Sequence, residues 1–96
     1  MSLNADQRKR TTHELAENAA LSGLTRAELI GRCGLTSPRF DSALRVGGAN
    51  PADVWLLRDV LETAVRDAGR TPVAYSVLTE AMRSAAGAWF GVADNR

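Results

Sequence analysis

The residues best able to do chemistry in this chain follow Gly34, where the spacing predicts a short helix with one polar face. If Phe40 points inward on that helix, the hydroxyl, guanidinium and carboxylate side chains around it point outward. The candidate binding residues here are Thr36, Ser37, Arg39, Asp41, Ser42 and Arg45. Hydroxyl and guanidinium groups donate to phosphate oxygens and base edges, and a carboxylate accepts from the cytosine amino group. The pattern therefore predicts a DNA-binding face, although one poor in donors and only weakly cationic.

Two short helices joined by a glycine turn must position this face. Thr25 and Glu28 form a capping box at the start of the first helix. Gly34 provides the turn, because glycine adopts a left-handed backbone at little steric cost. Ser37 is the predicted cap of the second helix, with Pro38 as its first residue. This arrangement is typical of a helix-turn-helix.

The apolar side chains of this segment fall where a helix-turn-helix buries its contacts. They are Leu29, Ile30, Cys33, Leu35, Phe40 and Leu44. The spacing resembles the lambda-repressor-like family, in which the second helix enters the major groove. Ile30 departs from that family's usual alanine, and Phe40 is bulkier than its usual valine or isoleucine. A wider crossing of the two helices would accommodate both departures.

A longer helix is predicted before this pair, over about residues 5–21. Asn4 and Gln7 have the spacing of a capping box, and Gly23 suits the position just past the end of the helix. The predicted apolar stripe consists of Leu15, Ala16, Ala19 and Ala20.

Basic residues near the start of that helix add a second candidate contact. Arg8 and Lys9 precede Arg10, Thr11 and Thr12. In one interpretation they clamp a phosphate beside the groove. In the other, which the sequence favours, consecutive charges point to different sides of the helix and are simply solvated.

Two more helices are predicted in the second half of the chain. Asn50, Pro51 and Asp53 are start signals for the fourth, which Gly69 ends. Its apolar stripe predicts the most buried helix: Val54, Leu57, Leu61, Ala64, Val65 and Ala68. A fifth helix is predicted over residues 76–88. Trp89 and Phe90 follow it, and they either close the core or pair with a second copy.

The composition excludes several classes of protein. The chain has 96 residues, 45% of them hydrophobic, and a net charge of +1, which fits one folded domain and argues against tight nonspecific DNA binding. It contains no membrane-length apolar run and no visible signal peptide, so a cytoplasmic location is expected. Cys33 is the only cysteine and His13 the only histidine. We therefore expect no internal disulfide, no metal site, no cofactor and no enzymatic activity.

Scattered motifs across the chain resemble a known family. These are MSLN-x-x-QR with Glu14-Leu15, the turn segment, P-x-x-x-W-x-L-R-x-x-L from Pro51, and Trp89-Phe90. Together they look like a small bacterial family of uncharacterised proteins, domain of unknown function 2316. The resemblance implies a compact helical protein with a lambda-repressor-like core, and it supplies no functional residues.

The sequence as a whole predicts an all-α, compact five-helix domain over residues 1–96, with a helix-turn-helix in residues 24–46. The expected function is DNA binding as a homodimer in transcriptional regulation. The alternative is a protein-interaction module that keeps the fold without binding DNA. The near-neutral charge together with Asp41 and Pro38 favours this alternative.

Overall fold

The chain forms an all-α domain in a computed structural model that describes residues 4–46 and 49–83. Four helices follow one another: α1 Ala5–Ser22, α2 Arg26–Cys33, α3 Ser37–Arg45 and α4 Pro51–Asp67. A fifth helical segment occupies residues 80–83. None of the described residues is in a strand. In the described ranges, no helix is both long and apolar enough to cross a membrane.

Local capping signals set the ends of the first two helices. The Asn4 side chain accepts from the Gln7 amide at 2.8 Å, and Thr25 and Glu28 bond reciprocally at the start of α2. Gly23 and Gly34 end α1 and α2 with φ of 71° and 70°. The predicted caps and glycine turns are therefore confirmed, and α1 ends one residue later than expected.

The start of α3 differs from the prediction by one residue. Thr36 is the cap: its hydroxyl accepts from the Arg39 amide, and its carbonyl accepts the first helical bond from Phe40 at 2.9 Å. Ser37 is instead the first helical residue, and its hydroxyl accepts from the Arg26 guanidinium at 2.7 Å. Thr36 and Ser37 both carry a hydroxyl that can cap this helix. Because the Ser37 hydroxyl bonds to Arg26 of α2, Thr36 is the cap.

The end of α3 is formed by Val46, which has a left-handed φ of 56°. Gly47 and Gly48, predicted to break the chain here, lie outside the described residues. Val46 packs partly against the core, and this contact opposes the steric cost of a β-branched residue in that conformation.

The core surrounds α4, as its long apolar stripe predicts. Leu57, Leu61 and Val65 are fully buried. Leu15 of α1, Leu29 and Cys33 of α2, Phe40 and Ala43 of α3, and Leu78 pack in the same core. Ala68 is exposed, because α4 ends at Asp67. Ile30 is only half-buried.

The buried face of α1 is largely polar, which corrects the predicted stripe at Ala16 and Ala20; Leu15 is buried and Ala19 packs partly against the core, as predicted. Thr11, Asn18 and Ser22 are buried with Leu15, whereas Ala16 and Ala20 are exposed. Asn18 accepts from the Val73 amide at 2.7 Å and donates to the Val73 carbonyl at 3.1 Å. A buried amide is tolerated because both its groups are paired, so this face cannot be identified from hydrophobicity.

The predicted start of the last helix at Ser76 is wrong. Residues 70–79 are not helical, and Thr79 caps the segment that begins at residue 80. Glu14 accepts from the Ser76 amide and hydroxyl, and Arg58 donates to the Leu78 carbonyl at 2.9 Å. These tertiary bonds occupy backbone groups at the predicted start of the helix. Trp89 and Phe90 lie outside the described residues.

Candidate nucleic-acid interface

The α2–α3 pair has the arrangement that its sequence predicts. Gly34 turns the chain in a left-handed conformation, and Phe40 and Ala43 point into the core with 2% and 0% of their surface exposed. Arg45, on the last turn of α3, is exposed. The predicted orientation of Phe40 and Arg45 is thus confirmed, and one side of α3 faces outward.

Side-chain hydrogen bonds join the start of α2 to the first turns of α3. They involve Arg26, Ser37 and Asp41, which we call the Arg26 cluster. Arg26 Nη2 donates to both carboxylate oxygens of Asp41, at 2.7 and 2.8 Å, and to Ser37 Oγ at 2.7 Å. Arg26 Nε also donates to Asp41 Oδ1 at 3.3 Å, and the guanidinium lies 5.8 Å from the Phe40 ring centre. Ser37 and Asp41 therefore bond to a cation of their own chain.

A second ion pair joins α3 to the start of α4. Arg39 Nε and Nη2 donate to the two carboxylate oxygens of Asp53 at 2.9 and 2.7 Å. The hydrogen bond to Asp53, together with its charge, raises the pKa of Arg39. Asp53 has only 7% of its side chain exposed, whereas Arg39 is more than half exposed. Arg39, predicted to contact DNA, is thus partly engaged by a buried carboxylate.

The last turn of α3 differs, because it contacts the basic half of α1. Thr12 Oγ1 donates to the Arg45 carbonyl at 3.0 Å. Arg8 and Lys9 lie four and three residues before Thr12, on neighbouring positions of the same helix. The contact places Thr12 beside the end of α3, with Arg8 and Lys9 one turn nearer the start of α1. We call Arg8, Lys9, Thr12 and Arg45 the α1–α3 corner.

The remaining candidates differ in how far their polar groups are available. The Thr36 hydroxyl is used as the α3 cap, and Ser42 is half-buried. Lys9 is exposed and lines a shallow depression of about 410 Å³ together with His13, Glu17 and Val73. Most of the predicted residues are thus exposed, but several of them already bond within the chain: Thr36, Ser37, Arg39 and Asp41.

Sequence reasoning missed Arg26 and Asp53 as the partners of Asp41 and Arg39 at this surface. Each lies 14 or 15 residues from its partner. The sequence does show that both residues lie near the start of a helix, because Arg26 follows the cap Thr25 and Asp53 is the third residue of α4. Their pairing was not visible, since it requires the relative placement of helices.

Cys33 lies in the core, where the apolar spacing of the segment places it. Cys33 is buried, and burial, with a smaller contribution from Asp53, raises the pKa of its thiol. His13 is exposed on α1 and lies 3.2 Å from Glu17. Among the described residues, no group of three His, Cys, Asp or Glu side chains could hold a metal ion.

One comparison with known proteins identifies the family. The family model described as an uncharacterized protein conserved in bacteria (DUF2316) matches residues 1–91. No curated protein and no solved structure matches the chain. The chain therefore belongs to the DUF2316 family.

Proposed function

We propose that this member of the DUF2316 family binds double-stranded DNA through a lambda-repressor-like helix-turn-helix formed by α2 and α3. In this proposal α3 enters the major groove and the start of α1 contacts the flanking phosphates. The protein acts as a homodimer in the cytoplasm and regulates transcription.

The α1–α3 corner is the observation that best supports this proposal. Thr12 bonds to the carbonyl of Arg45 and so fixes the end of α3 against α1. Arg8, Lys9 and Arg45 are exposed on the two helices that this bond joins, and in this proposal they form a basic group at one end of the exposed face. Phosphate contacts from such a group orient a protein on the duplex, whereas contacts in the groove provide specificity.

The charge of the region sets the strength of binding that we expect. If Arg8, Lys9 and Arg45 each contact one phosphate, log K falls with log salt at a slope of about −2.7. Affinity should then drop roughly 40-fold between 50 and 200 mM salt. This dependence is shallow for a DNA-binding protein, in keeping with the net charge of +1.

A fluorescence anisotropy titration against labelled duplexes from bacterial genomic DNA tests the proposal. We expect binding at about 50 mM salt that weakens at about 200 mM, because counterion release drives phosphate contacts. Absence of binding at the lower salt concentration would contradict the proposal.

The homodimer part of the proposal has its own test. A two-fold dimer would place two α3 helices about 34 Å apart, facing successive major grooves. Sedimentation velocity should show twice the mass of the chain, and a duplex with two half-sites should bind more tightly than one with a single half-site. A monomer that binds one half-site without gain from the second would contradict it.

A protein-interaction module is the second candidate function, and the two ion pairs favour it. Asp41 and Asp53 neutralise Arg26 and Arg39 on the face that DNA would approach. This candidate predicts a self-complex or a partner complex that persists when Arg45 is replaced by alanine, together with no DNA binding at about 50 mM salt. A strictly monomeric chain that binds DNA would exclude it.

A further inference from the structure

The Arg26 cluster lies on the first turns of α3, within the proposed DNA-binding face. Arg26 has 53% of its side chain exposed, and Asp41 has 41%. Three of the Arg26 hydrogen bonds go to Asp41 and one goes to Ser37. Within residues 4–46 and 49–83, no hydrogen bond is made by Nη1. The guanidinium lies at the surface, and its charge is already matched by a carboxylate.

The cluster is not what holds α2 against α3. Leu29, Cys33, Phe40 and Ala43 are buried between these helices and α4, and they supply the apolar contact. An ion pair whose partners are both about half exposed contributes little to folding stability. Its larger effect is on whatever charged group approaches the surface.

A phosphate that approaches Arg26 also approaches the Asp41 carboxylate, which lies within 3 Å of the guanidinium. The attraction and the repulsion then largely cancel. A contact with no net charge releases no counterion, and counterion release is the source of sequence-independent affinity.

From this geometry we infer that Asp41 is a specificity-determining residue. Its ion pair with Arg26 keeps that cation from binding phosphate and so limits nonspecific DNA binding. The inference rests on the proposed DNA-binding function. Specificity is gained here by weakening the wrong complexes rather than by strengthening the right one.

The chain offers a matched control for this inference on the same helix. Arg32, near the end of α2, lies 3.7 Å from Asp67, and that pair is also exposed. Asp41→Asn and Asp67→Asn change the net charge equally. Only Asp41→Asn removes the carboxylate partner of a cation, Arg26, on the proposed DNA-binding face.

The test measures binding of a random-sequence duplex as a function of salt for the wild type, Asp41→Asn and Asp67→Asn. Asp41→Asn should steepen the slope of log K against log salt by about 0.9. Between 50 and 200 mM salt, the affinity of this variant should then fall about 3.5-fold more than that of the wild type. Asp67→Asn should leave the slope unchanged. The double variant Arg26→Gln/Asp41→Asn should return to the wild-type slope, because it carries neither charge of the pair.

The outcomes separate this inference from the proposed function. Equal effects of Asp41→Asn and Asp67→Asn, or a double variant that keeps the steeper slope of Asp41→Asn, would overturn the inference while wild-type binding stands. Weaker binding by Asp41→Asn would also overturn it, because Asp41 would then position Arg26 for contact. Binding by Asp41→Asn alone would support the inference and contradict the proposed function of the wild type. No binding by either protein would overturn both.

Discussion

The two sides of α4 are covered in different ways. On one side, α2 and α3 pack through apolar side chains such as Leu29 and Phe40, and their polar groups pair at the surface. On the other side, α1 and residues 68–79 are joined by buried polar groups, above all the two bonds between Asn18 and Val73. Both sides bury apolar side chains, Leu15 and Leu78 among them on the second, but the second also depends on hydrogen bonds between a buried amide and the backbone of a non-helical segment.

The largest expected effect tests the apolar side. Phe40→Ala should lower the free energy of unfolding by about 3–5 kcal/mol, because it leaves a cavity at the centre of the α2–α3 contact. Urea denaturation followed by circular dichroism measures this. Leu56, an exposed apolar residue of α4, is the control, and Leu56→Ala should cost less than about 1 kcal/mol. Similar losses for the two variants would show that Phe40 is not an anchor.

A smaller loss is expected on the polar side. Asn18→Ala removes both partners of the Val73 backbone and should lower the free energy of unfolding by about 2 kcal/mol. Amide hydrogen exchange should show faster exchange at Val73. Glu17→Ala alters the exposed neighbouring position and should change little. If Asn18→Ala were as stable as Glu17→Ala, the bond between α1 and the segment after α4 would be unimportant.

The polar side should also respond to alkaline pH through Tyr75, the only tyrosine. Burial raises the pKa of Tyr75 from 10.0 to about 12. Between these values the folded chain keeps a proton that the unfolded chain has lost. The stability from this group is therefore fully present below about pH 10 and falls as pH rises to about 12. Ultraviolet absorbance of the phenolate measures the pKa, and a midpoint near 10 would mean that Tyr75 is not enclosed.

The same contrast explains how much of the fold the sequence predicts. Capping boxes at Asn4 and Thr25, the turn at Gly34 and the apolar stripe of α4 are local signals, and the structure confirms each of them. The start of the last helix depends on bonds from Glu14 and Arg58 to a distant segment, so local spacing misplaced it.

In the candidate interface, too, the local features could be predicted from the sequence and the contacts between helices could not. The inward Phe40 and the outward Arg45 follow from helical spacing alone. The pairs formed by Arg26 with Asp41 and by Arg39 with Asp53 join different helices. They neutralise the cations beside the first turns of α3, and periodicity carries no information about them.

The central claim, that the α1–α3 corner contacts DNA phosphates, is tested most directly by one substitution and its control. Arg45→Ala and Arg66→Ala remove the same charge, but Arg66 lies in the last turn of α4, about 20 Å along that helix from the Arg39–Asp53 contact. The salt dependence of DNA binding should become shallower by about 0.9 for Arg45→Ala and stay unchanged for Arg66→Ala. Equal slopes for both variants and the wild type would contradict the account.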